Sequence, residues 1–170
     1  MVTLALGINK FKLTPEIVYE LNRTAVQFLT FKPGQYRDQH AYIEGSEHAP
    51  PDWSAVPALM KELFDYLNQN WERRTASHLA AFVLWRLNWV HPFEEGNGRT
   101  ARAVAYFVVC LKHKMWLPGR RTIGGQIEDD RPPYYEALRA ADAKHRDDGT
   151  IDVSVMEQYI ERLLKVQLTP

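Results

Sequence analysis

Residues 91 to 102, His91-Pro92-Phe93-Glu94-Glu95-Gly96-Asn97-Gly98-Arg99-Thr100-Ala101-Arg102, hold most of the chemistry this chain offers. His91 can accept a proton near neutral pH. Gly96 and Gly98 allow backbone angles closed to other residues and let a ligand approach the main chain. A helix starting near Gly98 would present amides with no intrahelical partner, an anion site by geometry and by dipole. Arg99 and Arg102, three residues apart, share one face of its first turn, and guanidinium forks match phosphate oxygens. Glu94 and Glu95 are the candidate carboxylates for a divalent cation, since magnesium takes one or two carboxylates plus phosphate oxygens and waters. Base, metal and phosphate clamp together are the parts needed to move a phosphorus group onto a hydroxyl.

Each part alone has an ordinary structural use. Gly-Asn-Gly is a common turn, a histidine at a helix end is often a cap, and two arginines on a helix face are usually solvated. The functional reading rests on their occurrence within twelve residues. Other sites fit less well. There is no HExxH, and Pro92 with the glycines keeps His91 and Glu95 off a common helix face. No Gly-Lys-Ser/Thr occurs for a Walker loop, and the dinucleotide fingerprint lacks its third glycine and preceding strand.

The elements that must position this stretch read as mostly helical. Thr14-Pro15-Glu16 is a helix start, with Ile17, Leu21, Ala25 and Phe28 following at helical spacing. Asp52 or Ser54 can cap a second helix bearing Val56, Leu59, Met60, Leu63 and Leu67. A third, from about His78 to Val90, is apolar nearly all round and therefore buried on several sides. It must stop at His91-Pro92, because proline disfavours right-handed helical geometry in the residue before it. Phe93 then plugs the loop into the core. The fourth helix carries Val104, Phe107, Val108 and Leu111 and is broken at Leu117-Pro118-Gly119. Tyr134, Leu138 and Ala141 mark a helix after Pro132-Pro133. Asp152 caps a last one with Met156, Tyr159, Ile160 and Leu163. Residues 33–51 resist this pattern: Tyr36, Ala41, Tyr42 and Ile43 fit short strands around a Gly45-Ser46 turn, as a small hairpin or irregular flap.

Composition narrows the class. The chain has 170 residues, 45% hydrophobic and 25% charged, the profile of one soluble domain with a sizeable core. The 21 basic and 21 acidic residues cancel, which argues against a broad nucleic-acid surface and makes any anion site local. The single cysteine, Cys110, excludes an internal disulfide and reads as a small core residue. The N-terminus has no signal-peptide pattern, and the apolar run Leu79 to Val90 is too short to cross a bilayer. A cytoplasmic protein is expected; a secreted effector is the other option.

The stretch 91–102 resembles the signature HxFx(D/E)GNGRxxR of the Fic family and meets all eight defining positions. Gly34-Gln35-Tyr36-Arg37 through Gly45-Ser46-Glu47-His48-Ala49-Pro50-Pro51 is similar to the family's flap region. Leu117-Pro118-Gly119 and Tyr134-Tyr135-Glu136-Ala137-Leu138 also look like Fic sequences. The resemblance implies an all-α Fic fold with a β-hairpin flap, in one domain over residues 1–170. It implies transfer of AMP from ATP to a Ser, Thr or Tyr hydroxyl of a target protein, with Mg²⁺. By the match, His91 is the base and Glu95 holds the metal. Gly96, Asn97 and Gly98 form the anion pocket, with Asn97 at the α-phosphate, and Arg99 and Arg102 take the outer phosphates. The flap, with Tyr36, Tyr42 and Ile43, would pair with the target's backbone.

The motif departs from the commoner pattern in having Glu95 for aspartate. The inhibitory pattern (S/T)xxxE(G/N) found in many members is absent; its nearest look-alike, Ser154, has Gln158 at the glutamate position. Such an enzyme is either constitutively competent or restrained by a separate antitoxin-like protein, unless the chain is an excised domain. Relatives resembling Doc move phosphate, and a few members move UMP or phosphocholine; the intact Gly96-Asn97-Gly98-Arg99 favours AMP. A non-catalytic nucleotide-binding module is the remaining class, and retention of His91 and Glu95 argues against it. Tyr134 or Tyr135 could stack on the nucleotide base, although core packing suits them better.

Overall fold

The computed structural model describes residues 13–169, so the N-terminal segment, read above as lacking a signal peptide, lies outside the described residues. Seven α-helices run through them: α1 Pro15–Ala25, α2 Val56–Asn70, α3 Ala76–Val90, α4 Asn97–His113, α5 Ile123–Asp129, α6 Pro132–Asp148 and α7 Ser154–Leu168. None of them is long and apolar enough to cross a membrane. The helix starts read from the sequence fall where expected, although the Thr14 hydroxyl makes no cap bond and Val153 rather than Asp152 is the N-cap of α7. Thr14 is the N-cap of α1, with Pro15 its first residue. Asp52 accepts the Ser54 amide and caps a short 3-10 turn, Trp53–Ala55, that leads into α2. The Ser154 amide donates to Asp152 at 2.9 Å at the head of α7.

The central helix is α3, packed against α2, α4, α6 and α7. Its residues Leu79 through Trp85, with Leu87 and Val90, are all buried, as a helix apolar on every side requires. Val104, Phe107, Val108 and Leu111 of α4 and Met156, Ile160 and Leu163 of α7 close the core around it, and Cys110 is buried among them. This packing fixes the C-terminal end of α3 and the N-terminal end of α4, and the motif loop lies between those two ends.

Three expectations need correction. Among the described residues there is no hairpin: the flap is irregular, and its one bridge joins Tyr36 to Phe93 of the motif loop. Tyr36 and Arg37 find their partners on the motif loop and the end of α3, and the Ile43 carbonyl accepts the Ser46 amide within the flap. Second, the buried stripe of α1 is Val18 and Asn22, continued by Val26, with Ile17, Leu21 and Ala25 at its edge. The helix ends at Ala25, and Phe28 lies beyond it, exposed, with φ +68°. Third, α5 has no counterpart in the sequence reading. It is one of the shortest elements, holds Gly124 and Gly125, and depends on the Thr122 hydroxyl accepting the Gly125 amide at 3.2 Å.

Candidate active site

Helix α3 ends at His91, whose amide donates to Leu87 at 3.0 Å and whose φ is +50°. The following proline excludes the right-handed continuation, and the left-handed turn sends the chain inward. Phe93 is buried against Tyr36, with ring centroids 5.9 Å apart. That burial stabilises by roughly 2–3 kcal/mol. Asn97 closes the loop in both directions: its Oδ1 accepts the Phe93 amide at 2.9 Å and its Nδ2 donates to the Phe93 carbonyl at 2.8 Å. The Asn97 side chain is thus occupied, which leaves its main-chain amide to meet an anion.

Gly96 is the N-cap of α4 with φ +76°, and a Cβ there would overlap Val26 Cγ1. No other residue fits this position. Gly98 lies within the first turn, where a Cβ would come 3.4 Å from Arg102 Nη1. The first intrahelical bond of α4 runs from Thr100 to the Gly96 carbonyl at 2.8 Å, so the amides of Asn97, Gly98 and Arg99 precede it.

These groups line one cavity of about 430 Å³, shared by His91, Glu94 through Arg99, Arg102, Asn88, Tyr134, Tyr135 and, from the flap, Tyr42 and Ile43. Tyr36 does not line it; it packs instead between Tyr19 and Phe93. Tyr42 is largely exposed and Ile43 half-buried. Tyr134 is buried in the wall, its hydroxyl accepting from Asn88 at 2.8 Å, whereas Tyr135 is exposed at the rim.

Burial pulls the His91 pKa down to about 4, with the Arg37 and His48 charges adding to the effect and the Asn88 main chain opposing it. The ring is therefore neutral near pH 7, the form that accepts a proton. Its Nδ1 is buried, so Nε2 is the ring nitrogen left to meet a ligand. Glu94 accepts from the Thr30 hydroxyl at 2.7 Å, so of the two carboxylates Glu95 has the less committed side chain. Arg99 Nη1 donates to the Ala25 carbonyl at 2.8 Å. Arg102 is ion-paired with Glu128 of α5. A glutamate thus reaches the second arginine without belonging to the inhibitory pattern (S/T)xxxE(G/N).

Asn22 was missed. It is 1% exposed on α1, and its Nδ2 donates to the Glu95 carbonyl at 3.0 Å and to Thr100 Oγ1 at 3.1 Å. Its Oδ1 accepts the Gly34 amide at 2.8 Å. One side chain thereby joins α1, the motif loop, α4 and the start of the flap. The signal available was its i+4 spacing from Val18 and to Val26.

A sequence profile of the Fic/DOC family matches residues 12–109, more than half of the chain. The chain belongs to the Fic/DOC family. A protein adenylyltransferase Fic of Drosophila willistoni is 30% identical over 97 residues, covering 56% of this chain and 19% of that protein. The protein of the same name from Drosophila persimilis is 30% identical over 99 residues, with the same coverage. The chain therefore spans about a fifth of the length of these relatives. The fold matches a Fic domain containing signaling protein from Bacteroides thetaiotaomicron with TM-score 0.78 at 24% identity, covering 98% of this chain and 65% of that one. It matches a Fic family protein from Desulfovibrio desulfuricans with TM-score 0.74 at 21% identity, covering 91% and 46%.

Proposed function

We propose that this Fic/DOC protein transfers AMP from ATP to a Ser, Thr or Tyr hydroxyl of a target protein. The observation that carries the reading is the meeting, in one cavity, of a neutral histidine, an uncommitted carboxylate and the glycine-capped start of α4 with two arginines. A binding module needs only the clamp; a base held neutral beside it is what a transferase adds. The name of the Drosophila relatives agrees with this choice of group.

In this reading the amides of Asn97, Gly98 and Arg99 hold phosphate oxygens at the positive end of α4. Arg99 and Arg102 take the outer phosphates by giving up Ala25 and Glu128. His91 Nε2 removes the proton of the target hydroxyl as that oxygen bonds the α-phosphorus. The bond from the α-phosphorus to the oxygen bridging to the β-phosphate breaks, and pyrophosphate leaves. Glu95, the less committed of the two motif carboxylates, would hold Mg²⁺ beside the phosphates. That donor set suits a cation completed by phosphate oxygens and water, whose contribution is to neutralise phosphate charge. Tyr42 and Ile43, the flap residues that line the cavity, would meet the target.

The test is incubation with Mg²⁺ and ATP labelled at the α-phosphate, alone and in a cell lysate, beside His91→Ala. Label kept on protein by the parent chain and not by His91→Ala, with ATP binding equal in both, is the expected result. Label carried instead from the γ-phosphate would make the protein a kinase and overturn the choice of AMP.

A further inference from the structure

The flap has an anchor that the roles above do not use. Arg37 is 4% exposed, yet no carboxylate forms an ion pair with it among the described residues. Asp52 favours its charge only at longer range and is itself engaged with Ser54 and His40. A buried cation is costly unless its charge and its donors are answered. Here main-chain carbonyls answer both. Nε donates to His91 at 2.8 Å, Nη1 to Gln39 at 2.9 Å, and Nη2 to Pro51 at 2.6 Å and to Val90 at 3.4 Å. The Arg37 amide adds a bond to Pro92 at 2.8 Å.

Val90 ends α3 and His91 caps it, so their carbonyls belong to the negative end of its dipole. A helix terminus thus stands in for a carboxylate. Gln39 lies two residues on from Arg37 itself, and Pro51 lies at the far end of the flap. One planar group, carried near the start of the flap, therefore ties the end of α3, the main chain of His91 and the far end of the flap together. Lysine, a single point donor, cannot span these acceptors. His48 adds a parallel tie, donating from Nε2 to Trp89 at 2.7 Å. His91 also needs such support, because a non-glycine residue in the left-handed region persists only where its surroundings over-determine it.

We propose that Arg37 is a positioning residue that sets the main chain of His91 and the seat of the flap over the cavity as one unit. The claim that this serves transfer rests on the reading of His91 as the base; the coupling itself does not.

Arg37→Gln and Arg37→Lys separate these statements when compared with the parent chain and His91→Ala. Amide hydrogen exchange, ATP binding by calorimetry and α-label transfer are measured on each. For Arg37→Gln, exchange at residues 38–49 and 91–95 is expected to rise at least about tenfold, with the amides of α3, α4 and α7 unchanged. ATP affinity should hold within about threefold while transfer falls on the order of 100-fold, the cost of a base displaced by about 1 Å. Arg37→Lys should fall between in both exchange and transfer. Unchanged exchange in the two segments overturns the coupling, as does exchange rising equally in every helix. Freed segments with parental transfer overturn the positioning role. If the parent chain transfers no label, the AMP reading fails by itself, and the exchange comparison still upholds or overturns the coupling.

Discussion

Replacing Asn22 by alanine removes the joint between α1 and the motif loop, and its cost can be worked from the structure. Three hydrogen bonds disappear, to Glu95, Thr100 and Gly34. At about 1 kcal/mol each, with buried groups of Thr100 and Gly34 left unpaired, the loss is about 3–4 kcal/mol. A domain of this size has roughly 5–15 kcal/mol in hand, so the variant still folds. Thermal unfolding should fall by about 6–15 °C. ATP binding should suffer separately. Glu95 and Gly96, no longer held by α1, must be ordered when the nucleotide arrives, at about 1 kcal/mol per residue. The affinity then drops about 30-fold. Asn22→Asp sharpens the test: it keeps an acceptor for Gly34 but sets a carboxylate against the Glu95 carbonyl beside an anion site. It should bind ATP more weakly than Asn22→Ala and recover as the pH is lowered. Calorimetric melting and ATP titration decide the matter. Melting of Asn22→Ala within about 2 °C of the parent chain, with unchanged affinity, would refute the reasoning.

Three further outcomes follow from the same geometry. The His91 pKa lies at about 4 when folded against an ordinary 6.5, so the unfolded chain binds the extra proton between those values. Stability is therefore lost as pH falls through that window, by about 3 kcal/mol in all, and urea unfolding of His91→Asn should lack this loss. Glu128→Gln releases Arg102 from a half-exposed ion pair worth at most about 1 kcal/mol, so ATP affinity measured by calorimetry should rise, but by no more than about fivefold. Gly96→Ala combines a left-handed φ with overlap on Val26 and should lower the melting temperature and abolish ATP binding, whereas Gly98→Ala, which meets only ordinary contacts, should keep the fold.

How far the sequence could be read depended on which interactions were local. Helix starts at Thr14, Asp52 and Asp152, and the all-round burial of α3, follow from neighbours a few residues apart, and they appear where the pattern placed them. The hairpin expected in the flap and the stripe of α1 went wrong for one reason. Asn22 reads as a solvent-facing polar residue, which rotates the apparent stripe of α1 toward Ile17 and Phe28. Its three partners are 12, 73 and 78 residues away, beyond any local rule. Tyr36 reads as a strand residue, and its bridge is to Phe93 rather than across a hairpin. The motif residues were legible because their chemistry is packed into twelve positions. Their settings were not: that Asn97 spends its side chain on Phe93, or that Glu128 meets Arg102, depends on the fold.

The contacts around the cavity fall into two kinds, and the division bears on how the site would work. Those that hold the main chain come from buried side chains: Asn22 to Glu95, Asn97 to Phe93, Arg37 to His91. Breaking any of them leaves a polar group unanswered, at about 1–3 kcal/mol, so the backbone amides and the base stay fixed. Those that hold the charged side chains reach the surface: Arg99 to Ala25, Arg102 to Glu128, Glu94 to Thr30. Exposed pairs of this sort contribute about 0–1 kcal/mol, less than a charge-assisted bond to phosphate returns. A polyphosphate can therefore exchange the arginines from their present partners without disturbing the loop beneath them. Salt separates the two kinds: raising the ionic strength screens the exposed pairs and the arginine–phosphate bonds together, while the buried network and the neutral His91 remain. ATP affinity should then weaken with salt at an unchanged melting temperature, and a melting temperature that fell in parallel would mean that the exposed pairs hold the loop after all.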